Sequence, residues 1–241
     1  MRPTKRLATA LMLSLGFAAP VAAAQCGNNA GGFDAWKPAF AKEAAAAGVG
    51  QRGLDALANA RYASSTIAAG RKRKARNASF YQSLEARYGV PAGVIIAIHG
   101  METAFGGFMG DTSVVSAITT LTYDCRRSDF FAPHAIGALK LVDTGAINGG
   151  TKGAKHGELG HTQFLPGNAL RYGVDGNGDG RVDFYNQTDA LASTANFLRQ
   201  KGWQPGAGYQ EGQTNFNVIK QWNAAGVYQK AIAIMAARID G

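Results

Sequence analysis

Several features that many functions need are scarce or missing here. Two cysteines in 241 residues exclude a disulfide-dense scaffold and allow at most one bridge. The four histidines, His99, His134, His156 and His161, fall at no metal-ligand spacing and read as structural or exposed. There is no glycine loop of the nucleotide-binding kind, and no serine or cysteine stands out as a nucleophile. Beyond the N-terminus no apolar run approaches the length of a membrane span. Strand-like alternation is rare, and neither an internal repeat nor a long linker is visible. What remains is a mostly α chain.

The first residues set the context. Arg2, Lys5 and Arg6 precede an apolar stretch from Leu7 to Val21, and Ala22-Ala23-Ala24 follows as a small-residue cleavage site. That order is expected of a secretory signal peptide over residues 1–24, with a mature chain starting at Gln25. About 217 residues are left, enough for one sizeable core. Three basic residues leave with the signal, so the mature charge is +6, 22 basic against 16 acidic side chains. A basic exported protein suits an anionic polymer, and export argues against nucleic acid. In an oxidising compartment Cys26 and Cys125 are expected to pair, closing a loop worth up to ~4.7 kcal/mol in the chain-entropy picture. The rival reading makes Cys26 a lipidated N-terminus, although Ala23-Ala24-Gln25 is a poor lipoprotein signal.

Helical spacing recurs along the rest. Phe33, Trp36, Phe40 and Ala44 predict a helix to Ala47, and Leu54, Leu57 and Ala58 a short second one. The run Arg71-Lys72-Arg73-Lys74-Ala75-Arg76 reads first as a solvated helix face or loop, and second as a grip on an anionic polymer. Phe80, Tyr81, Leu84 and Tyr88 predict the next helix. Pro91 is placed to begin another, apolar nearly all round through Val94, Ile95, Ile96, Ala97, Ile98 and Met101, which Gly106-Gly107 would end. Further helices are predicted over Val114–Leu121, Ser128–Val142, Gln163–Tyr172 and Ala190–Gln200, around Phe216–Trp222, and over Tyr228–Ile239. Gly145–Gly160 reads as a loop.

Glu102 is the residue least explained by stability. It falls in the last turn of the apolar helix, where apolar surroundings and the negative helix end both disfavour a carboxylate. An acid kept protonated near neutral pH is what glycosidic cleavage requires. The bland alternative is a glutamate at an exposed helix end, paired with an arginine. Asp175-Gly-Asn177-Gly-Asp179-Gly180-Arg181-Val182-Asp183 follows the EF-hand calcium pattern: oxygen ligands at loop positions 1, 3 and 5, a glycine at 6, and a backbone carbonyl from Arg181 at 7. Asn186 stands at position 12, where Glu is normal.

The word Gly100-Met101-Glu102-Thr103-Ala104-Phe105-Gly106 resembles the catalytic segment of lytic transglycosylases, and most closely the membrane-bound lytic murein transglycosylase B family. The resemblance runs in order over most of Tyr88–Ile239. Tyr88-Gly89-Val90-Pro91 resembles the family's entry to the catalytic helix, Arg126-Arg127 with Phe130-Phe131 its paired arginines, and Gln163-Phe164-Leu165-Pro166 its Q-F-M-P segment. Asp175–Asp183 resembles its calcium loop, and Asp189–Trp203 the helix that follows.

The resemblance implies a lysozyme-like α fold, expected here as a single domain with a helical N-terminal extension and an EF-hand-like calcium loop. It implies a periplasmic monomer that cleaves peptidoglycan glycan strands without water. Glu102 would protonate the bond between N-acetylmuramic acid and N-acetylglucosamine, and would then accept the proton of the muramic acid O6 hydroxyl as that attacks C1, leaving a 1,6-anhydro end. It implies Gln163 as a sugar ligand, Arg126 and Arg127 as partners of wall carboxylates, and Asp189 as the acid completing a calcium site with Asp175, Asn177, Asp179 and Arg181. Trp222-Asn223 stands where the family has Tyr-Asn, which puts a hydrogen bond there in doubt, and Tyr228 matches a later cleft tyrosine. A family serine is Ala154 here, and Phe197 replaces a common tyrosine. Glu158 and His161 replace small, apolar or aromatic residues, and Glu158 could add a second carboxylate. Two rivals are a lysozyme-type hydrolase and a non-catalytic, calcium-stabilised wall-binding module.

Overall fold

The structure is a computed structural model that describes residues 24–25, 33–59 and 64–241. The signal-peptide segment to residue 23 and Cys26 lie outside the described residues, while Cys125 is free and exposed. Contacts group the chain into two units, Met1–Ala60 and Arg61–Gly241, where the sequence pattern reads one domain from Gln25. The described part of the first unit is two helices in mutual contact, α1 (Phe33–Ala46) and α2 (Gln51–Asn59). Trp36 stacks on Phe40, one turn later, at 4.5 Å between ring centroids.

The second unit holds the other nine described helices: α3 (Ser64–Arg76), α4 (Ala78–Tyr88), α5 (Ala92–Thr103), α6 (Val114–Tyr123), α7 (Ser128–Asp143), α8 (Pro166–Tyr172), α9 (Gln187–Gln200), α10 (Phe216–Trp222) and α11 (Gly226–Asp240). Its centre is α5. Residues Ala92 to Gly100 are buried without a break, as an all-round apolar helix must be. Helices α3 and α11 pack on it, and α9, itself buried over most of its length, joins it from another side. Each buried Ile or Leu here removes enough apolar surface to contribute about 1.5–3 kcal/mol. A second group forms where α6, α7 and α8 meet, around Ile118, Phe131, Ala135 and Ala138.

Some boundaries differ from the sequence expectation, each for a local reason. Pro91 does not begin α5 but precedes it with ψ 143. The buried first turn gains its acceptor from far away instead: Asp240 at the end of α11 accepts the Gly93 N–H at 2.9 Å. Gln163 is not helical, because α8 begins at Pro166, whose missing N–H is harmless only in a first turn. The glycine-rich stretch after α7 is not wholly loop: Lys152–Gly153 (β2) pairs antiparallel with Thr112–Ser113 (β1), with Thr112 opposite Gly153. Two-residue strands leave no alternation to read. The basic run lies on α3, and much of it faces protein. Arg71 donates to the Arg238 carbonyl at 2.6 Å, Lys74 pairs with Asp240 at 2.7 Å, and the Arg73 guanidinium lies 4.2 Å from the centre of the Phe105 ring. Among the described residues no helix is long and apolar enough to cross a membrane.

Candidate active site

The last turn of α5 is wound unusually. The helix stops at Thr103, and Ala104, Phe105 and Gly106 all take left-handed backbone angles, φ 50, 64 and 84. The turn thus starts two residues before the glycine expected to end the helix. Left-handed non-glycine residues cost about 1–2 kcal/mol each and persist where surrounding contacts hold them. Those contacts are present. The Phe105 N–H reaches back to the His99 carbonyl at 3.2 Å, and its ring meets the His99 imidazole edge-on at 5.4 Å. Buried Thr103 donates its hydroxyl to the His161 carbonyl at 2.7 Å and accepts the Gly106 N–H at 2.9 Å. Gly106 has to be glycine, since a Cβ there would stand 2.4 Å from the His161 ring. The G-x-E-T-x-x-G word therefore ties the end of α5 to the segment that leads into Gln163.

Glu102, half-buried, is aimed by this turn into a cleft of about 310 Å³. Its Oε1 accepts the indole N–H of Trp222 at 2.9 Å and the hydroxyl of Tyr228. Trp222 closes α10 and is wedged edge-on against Phe164 and Phe197, at 5.1 and 5.2 Å. The doubt over a hydrogen bond at Trp222 resolves in its favour, because an indole N–H takes the place of a hydroxyl. Desolvation pushes the Glu102 pKa above the ordinary carboxylate value. The two hydrogen bonds oppose that shift, and the negative charge of Glu158 adds to it. Burial likewise raises the Tyr228 hydroxyl, with the nearby Glu102 charge as the next cause, so it remains a donor.

The two donors have a checkable sign. Each favours the carboxylate form of Glu102, so Trp222→Phe and Tyr228→Phe are each expected to raise its pKa further. Carbon-13 NMR of the labelled carboxyl should show the midpoint moving to higher pH. An unchanged or lower midpoint would mean that these donors do not bear on the charge.

The opposite wall comes from the chain between β2 and α8. Ala154, His156, Glu158, Gln163 and Leu165 line it, Asn168 adds to it from the first turn of α8, and Asn223 joins from beyond α10. Gln163 sits at φ 56, and its amide donates to the Gly160 carbonyl at 2.8 Å. Glu158 thus lies in the same cleft as Glu102. His161 is not a cleft-lining residue. It points behind α5, its Nδ1 3.0 Å from Nε2 of fully buried His99. Burial holds both imidazoles below the ordinary value, His99 at about 3. Nothing in the spacing of Asn168, Leu165 and Phe164 marks them as cleft residues, yet all three line the cleft. Their one signal was closeness to Gln163, and it needs the bend before Pro166 to become meaningful.

The family model described as Transglycosylase SLT domain matches residues 48–212, a span containing Glu102, Gln163 and the aspartate loop. The chain belongs to the transglycosylase SLT domain family. Membrane-bound lytic murein transglycosylase B of Escherichia coli K12 is 35% identical over 123 residues, which cover 49% of this chain and 34% of that protein. The chain thus matches about a third of the length of that curated relative. SltB3 from Pseudomonas aeruginosa, solved in complex with NAG-NAM-pentapeptide, superposes with a TM-score of 0.68 at 25% identity, covering 87% of this chain and 80% of that one. The Escherichia coli lytic transglycosylase Slt35 in complex with calcium has the same fold, with a TM-score of 0.67 at 20% identity over 84% of this chain and 92% of that one.

Two other groups expected from the sequence lie away from the cleft of this transglycosylase SLT domain. Arg126 is exposed in the turn between α6 and α7 and is held by Asp124. Arg127 precedes α7, its guanidinium 4.6 and 5.0 Å from the centres of Phe130 and Phe131. Neither lines the cavity around Glu102. The aspartate loop runs between α8 and α9, and its side chains are turned onto its own backbone. Asp175 accepts the N–H groups of Gly178, Asp179 and Gly180, and that of Gly180 does most to hold its pKa low. Asn177 accepts from Asp179, and Asp179 from Arg181. Asn186 is the N-cap of α9 and accepts the Thr188 N–H at 2.8 Å, which accounts for an Asn where an EF-hand has Glu. Buried Asp189 accepts the N–H groups of Gly176, Asn177 and Asp183, framing the loop from inside. Among the described residues no cluster of three or more His, Cys, Asp or Glu side chains is gathered for a metal.

Proposed function

We propose that the chain is a lytic transglycosylase that cleaves peptidoglycan glycan strands, with Glu102 as acid and then base. The observation that supports this most is the Glu102 carboxyl itself, desolvated at the edge of a polar cleft and held by two donors on one oxygen. With Oε1 occupied by Trp222 and Tyr228, the transferable proton sits on Oε2. That proton goes to the glycosidic oxygen as the bond to C1 breaks. The resulting carboxylate keeps both hydrogen bonds, which offset its burial, and takes the proton of the attacking O6 hydroxyl. The acid is regenerated without water, so a second catalytic carboxylate is not needed. Gln163 and Asn223 supply polar contacts to the sugars in the cleft. Arg126 and Arg127, outside it, are available to acidic groups farther along a strand. The SltB3 complexes with NAG-NAM-pentapeptide and NAG-anhNAM-pentapeptide support the substrate class.

Digestion of purified peptidoglycan, read by product mass, tests this. Products ending in 1,6-anhydro-muramic acid are expected. A second reading, hydrolysis, is favoured by the position of Glu158 in the cleft, and reducing ends would establish it over the first. Intact glycan would overturn both. The same reading takes the protein to the periplasm as a monomer, with residues 1–24 removed and exposed Cys125 open to pairing with Cys26.

The aspartate loop fits a hard cation in its chemistry: two carboxylates, one amide oxygen and a backbone carbonyl, with Gly178 and Gly180 at φ 80 and 85 permitting the turns. Asp175, Asn177, Asp179 and the Arg181 carbonyl would hold calcium. Asp189, which frames the loop from inside through three amides, would complete the set as a further carboxylate. Bound calcium would neutralise the loop's charge and brace the connection from α8 to α9. Calcium at 100-fold excess over its dissociation constant is expected to stabilise the fold by about 2.7 kcal/mol. Calorimetry showing neither binding heat nor a rise in melting temperature would overturn the site.

A further inference from the structure

Glu158 is a charged cleft residue for which the proposed chemistry has no use. Its backbone is pinned. The Glu158 carbonyl accepts the Ala154 N–H at 2.9 Å, and Leu159 exchanges hydrogen bonds of 2.9 and 3.0 Å with Phe164. Gly153 passes so close that a Cβ there would stand 2.1 Å from the Glu158 carbonyl oxygen. The carboxyl at the end of this rigid segment is poorly served. Its Oε2 is buried and has no hydrogen-bond partner among the described residues. Its Oε1 is 3.6 Å from Nδ1 of the exposed His156, too far for a good hydrogen bond. A buried acceptor left unmet costs about 1–3 kcal/mol, and more when charged. The carboxylate also works against the ionisation of Glu102. Beyond the distant His156 contact nothing in the packing rewards a glutamate at this position, yet its side chain lines the cleft a substrate would enter.

We infer that Glu158 is a substrate-binding residue, its carboxyl group turning to accept a hydrogen bond from a neutral donor of an N-acetylated amino sugar seated in the cleft beside Glu102. The donor class follows from the acceptor. A carboxyl oxygen without a donor is met by an N–H or O–H and not by another acceptor, so this part of the cleft selects an uncharged, donor-bearing face of the sugar. The inference rests on the peptidoglycan reading above, and its test is therefore made on binding rather than turnover.

The parent for the test is the full chain carrying Glu102→Gln, which removes cleavage, and the probe is chitotetraose. Calorimetry should show affinity falling about tenfold or more when Glu158→Ala is added, the loss of one hydrogen bond to a charged group. Glu158→Gln, which keeps an acceptor oxygen, should lose less. The melting temperature of the Glu158→Ala protein should be unchanged or higher, because the unmet acceptor is gone. Equal affinity with and without Glu158→Ala would overturn the inference, and so would no binding by the parent. A fall in melting temperature without loss of affinity would make Glu158 structural. The proposed function fails separately, if wild-type protein leaves no anhydro ends on peptidoglycan.

Discussion

Glu102→Gln is expected to lower turnover of purified peptidoglycan by about 10³-fold or more while leaving the fold intact. A positioned acid or base typically contributes about 10²–10⁴-fold, and here one side chain serves as both. Gln is nearly isosteric, and its amide oxygen can still accept from Trp222 and Tyr228, so the melting temperature should stay within a few degrees of wild type. Loss of activity together with loss of folding would point to a structural role, and full activity would exclude Glu102 from the chemistry. The pH dependence has a definite sign. Desolvation raises the Glu102 pKa, and the protonated form is the active acid. Activity should therefore persist above the ordinary carboxylate range and fall as pH rises through the raised value. A rate that instead climbs through that value would mean that the carboxylate, not the acid, starts the reaction.

Thr103→Val is expected to be the most damaging nearly isosteric change in the site. The hydroxyl joins two backbone groups, donating to the His161 carbonyl at 2.7 Å and accepting the Gly106 N–H at 2.9 Å. Valine fills the same space and satisfies neither. Two partly buried polar groups left unmet cost roughly 2–4 kcal/mol together. In a unit of this size that lowers the melting temperature by roughly 5–15 °C. Thr103→Ser, which retains the hydroxyl, should recover most of it. Because the same contacts hold the left-handed turn after Glu102, Thr103→Val should also lower turnover at temperatures where the protein remains folded. Equal melting temperatures for Thr103→Val and wild type would show that the link between α5 and the Gln163 segment is not structural.

Much of the helical plan could be read in advance because helical spacing is a local signal. Ala92–Thr103 announces itself by being apolar on every side, and Glu102 by being an acid at its end. Gly106 marks a turn, although which residues adopt the left-handed angles depended on His99 and His161. The family likeness pointed to the Gln163 segment, Trp222 and Tyr228, and the structure brings all of these around Glu102. It leaves Arg126 and Arg127 elsewhere, since adjacency in a motif carries no direction in space.

The role of Trp222 could not be read from its type. An indole N–H donates as well as a phenol O–H only if the ring is oriented, and Phe164 and Phe197, far apart in the chain, set that orientation. The same holds for the basic run on α3. Its charge suggested solvent or a polymer, while its partners, Arg238, Asp240 and Phe105, come from α11 and from the end of α5.

Sequence alone was sufficient for the helical class, for the acid at the end of a buried helix and for the oxygen-rich loop, because each depends on residues within a turn or two of one another. The tertiary structure decided which donors reach Glu102, why Thr103 and Gly106 accompany it, and that Glu158 shares its cleft with an unmet oxygen. Those depend on segments more than fifty residues apart meeting at hydrogen-bond distance, and hydrogen bonds act over a range that only packing can set.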